Sequence, residues 1–191
     1  MVGNLSNFTK IDILRCLLKI EKPISRSQLS KELDLGEGTV RSILNILKGN
    51  NLLESNKKGH NLSNAGSNIV KKIKDCIDIK KIDLANISPN KKKIGVHIKN
   101  PKEIEKSHIL RDEAVKNGAD GAIILNYEEK LRLYDSDYEQ DFSELENKFD
   151  LSNKDLVIVA YADSYKLAEH GALAAAIHVD SNLRHIMEKI K

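Results

Sequence analysis

Side chains able to contact nucleic acid are concentrated between residues 39 and 60 of this 191-residue sequence. They carry hydroxyl, amide, imidazole and cationic groups, which bind base edges or phosphate oxygens without making or breaking a covalent bond. The set comprises Thr39, Arg41, Ser42, Asn45, Lys48, Lys57, Lys58 and His60. This chemistry is that of recognition, and the partner that it predicts is double-stranded DNA.

A helix must position the first five of these residues. Four apolar residues recur at i, i+3, i+4 and i+7, the spacing of the buried side of a helix. These residues are Val40, Ile43, Leu44 and Leu47. The polar residues fall on the other side, so we expect Arg41, Ser42 and Asn45 to approach bases in a major groove and Lys48 to hold a phosphate. Glu37 is a complication, because its charge repels phosphate although it suits a helix N-terminus.

A basic turn positions the remaining three residues. Residues 52–53 form a short apolar segment, after which Lys57, Lys58 and His60 surround Gly59. This pattern predicts a short strand followed by a β-hairpin, the wing. The tip of the wing is expected to lie over a phosphate or the minor groove.

Two shorter helices precede the helix that bears the recognition residues. Thr9 can cap the first, which ends near Ile20 before Pro23, and Ser25 can cap the second. We expect Gly36 to adopt a positive φ in the turn that follows. Two short helices, a tight turn and a third helix predict a helix-turn-helix, and the wing followed by a fourth helix makes it a winged one.

The segment over residues 36–66, GEGTVRSILNILKGNNLLESNKKGHNLSNAG, resembles the winged-helix regulators of archaea and bacteria. In that family a helix, a short strand, a wing and a Leu-Thr-x-x-Gly-like turn follow in this order, and residues 62–66 (LSNAG) occupy the last place. Asn51 stands where the family usually has glycine, and asparagine tolerates the left-handed conformation. The resemblance covers residue 9 to about residue 77 and implies a DNA-binding domain. A winged helix that binds protein instead is the alternative.

The distribution of charge favours DNA over protein as the partner of this half. Residues 1–93 contain 18 Lys and Arg against 9 Asp and Glu, a formal charge of +9, whereas residues 94–191 carry −6 within the overall +3. A basic half joined to an acidic half indicates that the first half meets a polyanion.

The fold class that the sequence predicts is α+β in two domains. Residues 1–78 form the winged helix, residues 79–93 a connector and residues 94–191 a second domain for sensing or dimerisation. The second domain reads as β-α-β-β-(α)-β-α, which predicts a mixed α/β sandwich around a central sheet.

The second half also carries a resemblance. Residues 110–125 (LRDEAVKNGADGAIIL), with the later segments DLVIVAYADS and GALAAA, look like the C-terminal domain of uncharacterised archaeal winged-helix proteins. Those proteins have been presumed to be transcription regulators. The resemblance implies the two-domain layout and brings no ligand or catalytic residue with it.

Two turns in the second half could hold a small molecule. One follows a helix and the other follows the most apolar strand, and strand ends of α/β sheets are frequent ligand positions. The candidate residues are Arg111, Asp112, Asp120, Asp163 and Ser164. The competing interpretation is a helix C-cap, a tight turn and a helix N-cap with no ligand.

No motif of catalysis or metal binding accompanies these residues. The sequence has no G-x-S-x-G, and His170, His178 and His185 lack the spacing of a metal site. We therefore expect no enzyme activity, no catalytic residue, no metal and no cofactor. Cys16 and Cys76 suit reduced core thiols better than a disulfide.

The resemblance to winged-helix regulators implies a transcription regulator, and we expect it to be a cytoplasmic homodimer. The N-terminal residues lack a secretory signal, and the apolar runs fall short of the ~18 residues of a membrane span. The second domain would bind a small-molecule effector, dimerise, or do both. Two other classes remain open, a protein-binding adaptor and a small-metabolite enzyme that the winged helix tethers to DNA.

Overall fold

The computed structural model describes residues 8–84, 86–102 and 104–190. The chain forms two compact units, the first comprising Met1–Ile73 with Ile186–Lys191 and the second Lys74–His185. The predicted α+β class is confirmed, with helices and a hairpin in the first unit and a five-stranded sheet with helices in the second. No helix among the described residues is long and apolar enough to cross a membrane.

Three helices and most of a fourth belong to the first unit. They are α1 (Lys10–Lys19), α2 (Arg26–Leu33), α3 (Glu37–Gly49) and α4 (Asn64–Cys76). The predicted caps are present: Thr9 forms a capping box with Asp12, and the Ser25 hydroxyl accepts a hydrogen bond from the backbone N–H of Gln28. Apolar side chains from α1, α2 and α3, among them Leu14 and Ile43, are fully buried between these helices.

A two-stranded hairpin follows α3, as the sequence predicts. Its strands are β1 (Leu53–Asn56) and β2 (Gly59–Leu62). Ile24 exchanges two backbone hydrogen bonds with His60, of 2.9 and 3.1 Å, and so adds a third chain segment to the hairpin. The wing is therefore attached to the chain between α1 and α2 as well as to α3.

The turn between α2 and α3 differs from the prediction. Gly36 has φ −61° and is the N-cap of α3, whereas Asp34 adopts the left-handed conformation at φ 53°. The reason is that the left-handed residue directly follows α2, which ends at Leu33. The Asp34 N–H donates to the carbonyls of Ser30 and Lys31, so Asp34 and not Gly36 is the C-cap. Asn51 does adopt the left-handed conformation expected of it, with φ 57°.

A single antiparallel sheet is the centre of the second unit. Its strands are β3 (Ile77–Ile82), β4 (Lys92–Ile98), β5 (Gly121–Glu128), β6 (Lys130–Leu133) and β7 (Leu156–Ala162). They lie in the order β3-β4-β7-β5-β6, and each neighbouring pair is antiparallel. A tight turn at Glu129, which has φ 68°, joins β5 to β6.

Helices cover one face of this sheet and an irregular apolar layer covers the other. The helices that follow α4 are α5 (Ser107–Lys116), α6 (Ser143–Glu146), α7 (Tyr165–Val179) and α8 (Ser181–Lys189). Both α5 and α7 pack on the sheet and on each other. On the other face, Phe142, Leu145 and Phe149 pack against Val157 and Val159 of β7. Small residues allow α7 to approach α5 closely: a Cβ added at Gly171 would lie 2.5 Å from the Cβ of Ala119 and 2.8 Å from the carbonyl oxygen of Ala114.

The prediction of a connector over residues 79–93 is wrong at both ends. Residues 79–82 belong to the edge strand β3, and residues 92–93 begin β4. The alternation of apolar and polar residues that indicates a strand is broken here, because Lys80 and Lys81 are consecutive and separate Ile79 from Ile82. Charged side chains of this kind are typical of an exposed sheet edge.

The two cysteines should differ in reactivity. Burial raises the pKa of the Cys16 thiol to about 12, and burial also raises the pKa of Cys76, which is only half-buried. At pH 8 a pKa near 12 leaves roughly one thiol in 10⁴ as the reactive thiolate. We expect iodoacetamide to label Cys76 before Cys16 in the native protein, and both together once the chain is unfolded. Mass spectrometry of tryptic peptides would measure this, and rapid native labelling of Cys16 would contradict it.

Candidate nucleic-acid interface

The exposed side of α3 presents a continuous polar stripe. Arg41 and Asn45 are exposed and Lys48 is half-buried, while the four predicted apolar residues are buried on the other side of the helix. With Glu37, which is also exposed, these residues are spaced by four, four and three positions and so lie within about 80° of one another round the helix. The structure therefore places three of the five predicted α3 residues together on one surface.

The other two predicted residues of α3, Thr39 and Ser42, are weaker candidates for contact with a partner. Thr39 is half-buried. The Ser42 side chain is exposed, but its hydroxyl donates a hydrogen bond of 3.2 Å to the Gly38 carbonyl of its own helix. Ser42 can approach a base only by exchanging this internal bond, so it is a weaker candidate than Arg41 or Asn45.

The wing presents its two lysines at the turn. Lys57 and Lys58 are both exposed, and the backbone N–H of Lys58 donates to the Asn56 side chain at 2.8 Å. Gly59 follows at φ 128°, and a Cβ there would lie 2.6 Å from the Ile24 carbonyl oxygen. The glycine thus allows the hairpin to close against residue 24 while the turn holds two cationic side chains outward.

His60 lies within a positively charged environment. Its Nδ1 is 2.7 Å from the Ser55 hydroxyl across the hairpin. Burial lowers the pKa of His60, and the positive charges of Lys48 and Arg26 lower it further. Residues from α2, α3 and the wing therefore contribute to one cationic region, as an anion-binding surface requires.

Arg26 is the residue that the sequence-based set lacks. Its guanidinium Nε and Nη2 lie 3.2 and 3.0 Å from Oε2 of Glu37. The pair neutralises the acid that the sequence marks as a complication for binding DNA. Eleven positions separate the partners, so no periodicity within a helix connects them. Arg26 is the first residue of α2 and Glu37 the first residue of α3, and the sequence gives no other indication that the two side chains meet.

Part of the predicted ligand site of the second unit is brought together. The Lys91 ammonium lies 2.6 Å from both the Asp120 and the Asp163 carboxylates, an arrangement that we call the Lys91 junction. These hydrogen bonds raise the pKa of Lys91 above its ordinary range. The Ser164 hydroxyl accepts a hydrogen bond from the Leu167 N–H, so it acts as the N-cap of α7.

The other two predicted ligand residues are elsewhere on the surface of the unit. Arg111 and Asp112 are exposed on α5, where the Arg111 Nε is 3.8 Å from the neighbouring carboxylate. A groove of about 410 Å³ lies between the start of β6 and residues 139–146, and none of the five predicted residues lines it. Its lining is Lys130, Leu131, Glu139, Gln140, Asp141, Phe142, Ser143 and Glu146.

One histidine of the C-terminal helices pairs with an acidic residue. Nε2 of His178 lies 3.2 Å from a Glu105 carboxylate oxygen. Within the part of the chain that the structure describes, no three histidine, cysteine or acidic side chains are grouped closely enough to hold a metal ion.

The fold and this surface define a two-domain α+β protein whose first unit is a winged helix. Residues 9–68 match the family model described as the PH0730-like N-terminal domain, and residues 88–179 match a domain of unknown function, DUF4443. Among solved structures the chain is similar to hypothetical protein PH0730 from Pyrococcus horikoshii OT3, with 27% identity and a TM-score of 0.79 over 94% of this chain and 99% of that one. No curated protein matches the chain. The comparisons thus point to an archaeal two-domain architecture.

Proposed function

We propose that the chain is a sequence-specific DNA-binding transcription regulator. The observation that carries the proposal is the union of α3, the wing and the start of α2 in one exposed cationic surface. An α-helix with Arg and Asn on its exposed side fits a major groove, and lysines beside it fit the flanking phosphates. In this assignment Arg41 and Asn45 contact bases, while Lys48, Lys57 and Lys58 contact phosphates.

The second unit is assigned to dimerisation or to sensing a small molecule. A dimer would place two α3 helices about 34 Å apart, one turn of DNA, and so would recognise two half-sites. The Lys91 junction supports the sensing role, because it gathers two carboxylates and an ammonium at the end of the sheet. A ligand there could change DNA binding only by preferring one arrangement of the two units.

Removing the wing lysines should weaken binding to all sequences alike. We expect the Lys57→Ala, Lys58→Ala double variant to reduce the slope of log affinity against log salt by about two, since each lost phosphate contact removes about one. Fluorescence anisotropy with one duplex at several salt concentrations would measure the slope. The matched control is Lys71→Ala with Lys72→Ala, which removes the same charge from exposed positions of α4. Equal slopes in the two double variants would contradict the assignment of the wing.

Selection of bound fragments from genomic DNA, with and without a mixture of metabolites, tests the function as a whole. A recurring sequence among the bound fragments is the expected result, and a metabolite-dependent yield would support sensing. Binding that ignores salt, or the absence of bound fragments, would overturn the proposal. Nuclease-resistant capture of a protein partner would then favour an adaptor, and turnover of a metabolite would favour an enzyme.

A further inference from the structure

The ion pair between Arg26 and Glu37 joins two helices on the surface assigned to DNA. The side chains retain 38% and 50% of their exposure, so water or a partner can reach both. Both guanidinium contacts go to one carboxylate oxygen, Oε2. Within the described part of the chain the second oxygen, Oε1, has no hydrogen-bond partner, and it remains available as an acceptor.

The position of Glu37 on α3 is that of a base-contacting residue. It is the first residue of the helix, and the N-terminal residues of a recognition helix are those that reach base edges in a helix-turn-helix. It also heads the stripe that continues through Arg41, Asn45 and Lys48. A phosphate-facing role is excluded by its charge, whereas a base edge that presents a hydrogen-bond donor would suit it.

Cytosine and adenine both present an amino donor in the major groove, but only adenine places an acceptor, N7, beside it. A carboxylate, which can only accept, therefore fits the N4 amino group of cytosine better. A bare carboxylate would repel the neighbouring phosphates, but the guanidinium of Arg26 offsets that charge. The pair can therefore enter the groove at a smaller electrostatic cost than Glu37 alone.

We propose that Glu37, held and neutralised by Arg26, determines specificity for a cytosine at one position of each half-site. Arg26 acts here as a positioning residue, whereas Glu37 touches the base. The inference rests on the proposed DNA-binding function. It assigns to the pair a role distinct from that of Arg41 and Asn45, whose side chains lie further along the helix.

Selection from a random duplex library, with the full chain and its variants, tests this assignment. The wild-type protein should select cytosine at one position, and Glu37→Gln should reduce the preference for cytosine there by about tenfold while leaving the other positions unchanged. The matched control is Glu32→Gln, which changes the charge equally on α2. Glu32 pairs with Gln28 instead and lies about 120° round the helix from Arg26.

Titrations of the selected duplex separate the two residues. Arg26→Met should weaken binding to all duplexes, because it leaves the Glu37 charge uncompensated near phosphates. Adding Glu37→Gln to Arg26→Met should recover most of that loss without restoring the preference for cytosine. Both side chains are exposed, and thermal unfolding of each variant verifies the fold.

The outcomes distinguish this inference from the function on which it rests. If the wild-type protein selects a sequence and Glu37→Gln selects the same one, the pair is only a surface ion pair and the inference is overturned. An equal gain in affinity of Glu37→Gln for all duplexes would overturn it as well. If the wild-type protein binds no duplex, the proposed function itself fails.

Discussion

Replacing Gly66 with alanine is expected to destabilise the winged-helix unit by about 3 kcal/mol or more. Gly66 lies in the first turn of α4, directly over the backbone that follows α3. A Cβ at this position would lie 2.1 Å from the Leu52 carbonyl oxygen and 3.0 Å from its carbon. These atoms belong to the main chain, so no rotation of a side chain can make room.

The surrounding hydrogen bonds keep that backbone from moving away. The Leu52 N–H donates to the Leu47 carbonyl at 2.9 Å, and the Leu52 carbonyl accepts from the Ser63 N–H at 3.0 Å. The Ser63 hydroxyl in turn accepts from the Gly66 N–H at 3.0 Å. Relief of the overlap would break contacts among α3, the wing and α4, which explains in physical terms the glycine of the LSNAG turn.

Urea unfolding of Gly66→Ala, followed by circular dichroism, would measure the loss. The matched control is Gly38→Ala, since Gly38 is also a helical glycine but has no atom within 4 Å of the position that a Cβ would take. Alanine at residue 38 should stabilise the protein by up to about 1 kcal/mol through its helix propensity. Equal stability of the two variants would show that the close approach of α4 to Leu52 does not exist in solution.

Local patterns in the sequence specify most of the helices. Thr9 and Ser25 were identifiable as caps because a capping side chain acts within three residues of itself. The apolar spacing from Val40 to Leu47 likewise predicts the buried side of α3, and each of these four residues is buried. Where both the cause and the effect lie within one turn of helix, the sequence alone is sufficient.

Features that depend on distant residues were not predictable in this way. The edge strand β3 is defined by its pairing with β4, and its own residues alternate too irregularly to indicate a strand. The Lys91 junction and the Arg26–Glu37 pair join residues that only the tertiary fold brings together. The wing is the intermediate case, because its turn is local but its attachment to Ile24 is not.

The same distinction between local causes and distant contacts applies to the candidate interface. Exposure of Arg41 and Asn45 follows from helical periodicity, so sequence reasoning places them correctly on the surface. The internal hydrogen bond of Ser42 and the neutralisation of Glu37 depend on the geometry of neighbouring groups. The residues that lie on the candidate surface are therefore easier to predict from the sequence. The availability of each side chain to a partner is harder to predict, because it depends on the groups around it.

Replacing Asp155 with alanine is expected to destabilise the second unit by about 3–5 kcal/mol. Asp155 and His97 are buried, with side chains 4% and 1% exposed, and Oδ2 of Asp155 is 2.7 Å from Nε2 of His97. The carboxylate also accepts from the backbone N–H groups of Asn100, at 2.9 Å, and Ser152, at 2.8 Å. Alanine would leave the buried imidazole without its acceptor, and it would also remove the acceptor of the backbone N–H groups of Asn100 and Ser152, which are themselves exposed residues.

The three donors come from two segments: His97 and Asn100 lie at and just after the end of β4, and Ser152 lies in the turn before β7. Asp155 therefore links these two segments. Losing it should therefore lower the unfolding midpoint of the second unit and increase hydrogen exchange at Asn100 and Ser152. Asp163→Ala is the matched control, because its carboxylate pairs with Lys91 but is 82% exposed. That substitution should change stability by no more than about 0.5 kcal/mol, since exposed ion pairs contribute little. If both variants unfold at the same urea concentration, the buried pair contributes no more than the exposed one. Asp155 then does not stabilise the second unit by linking β4 to the turn before β7.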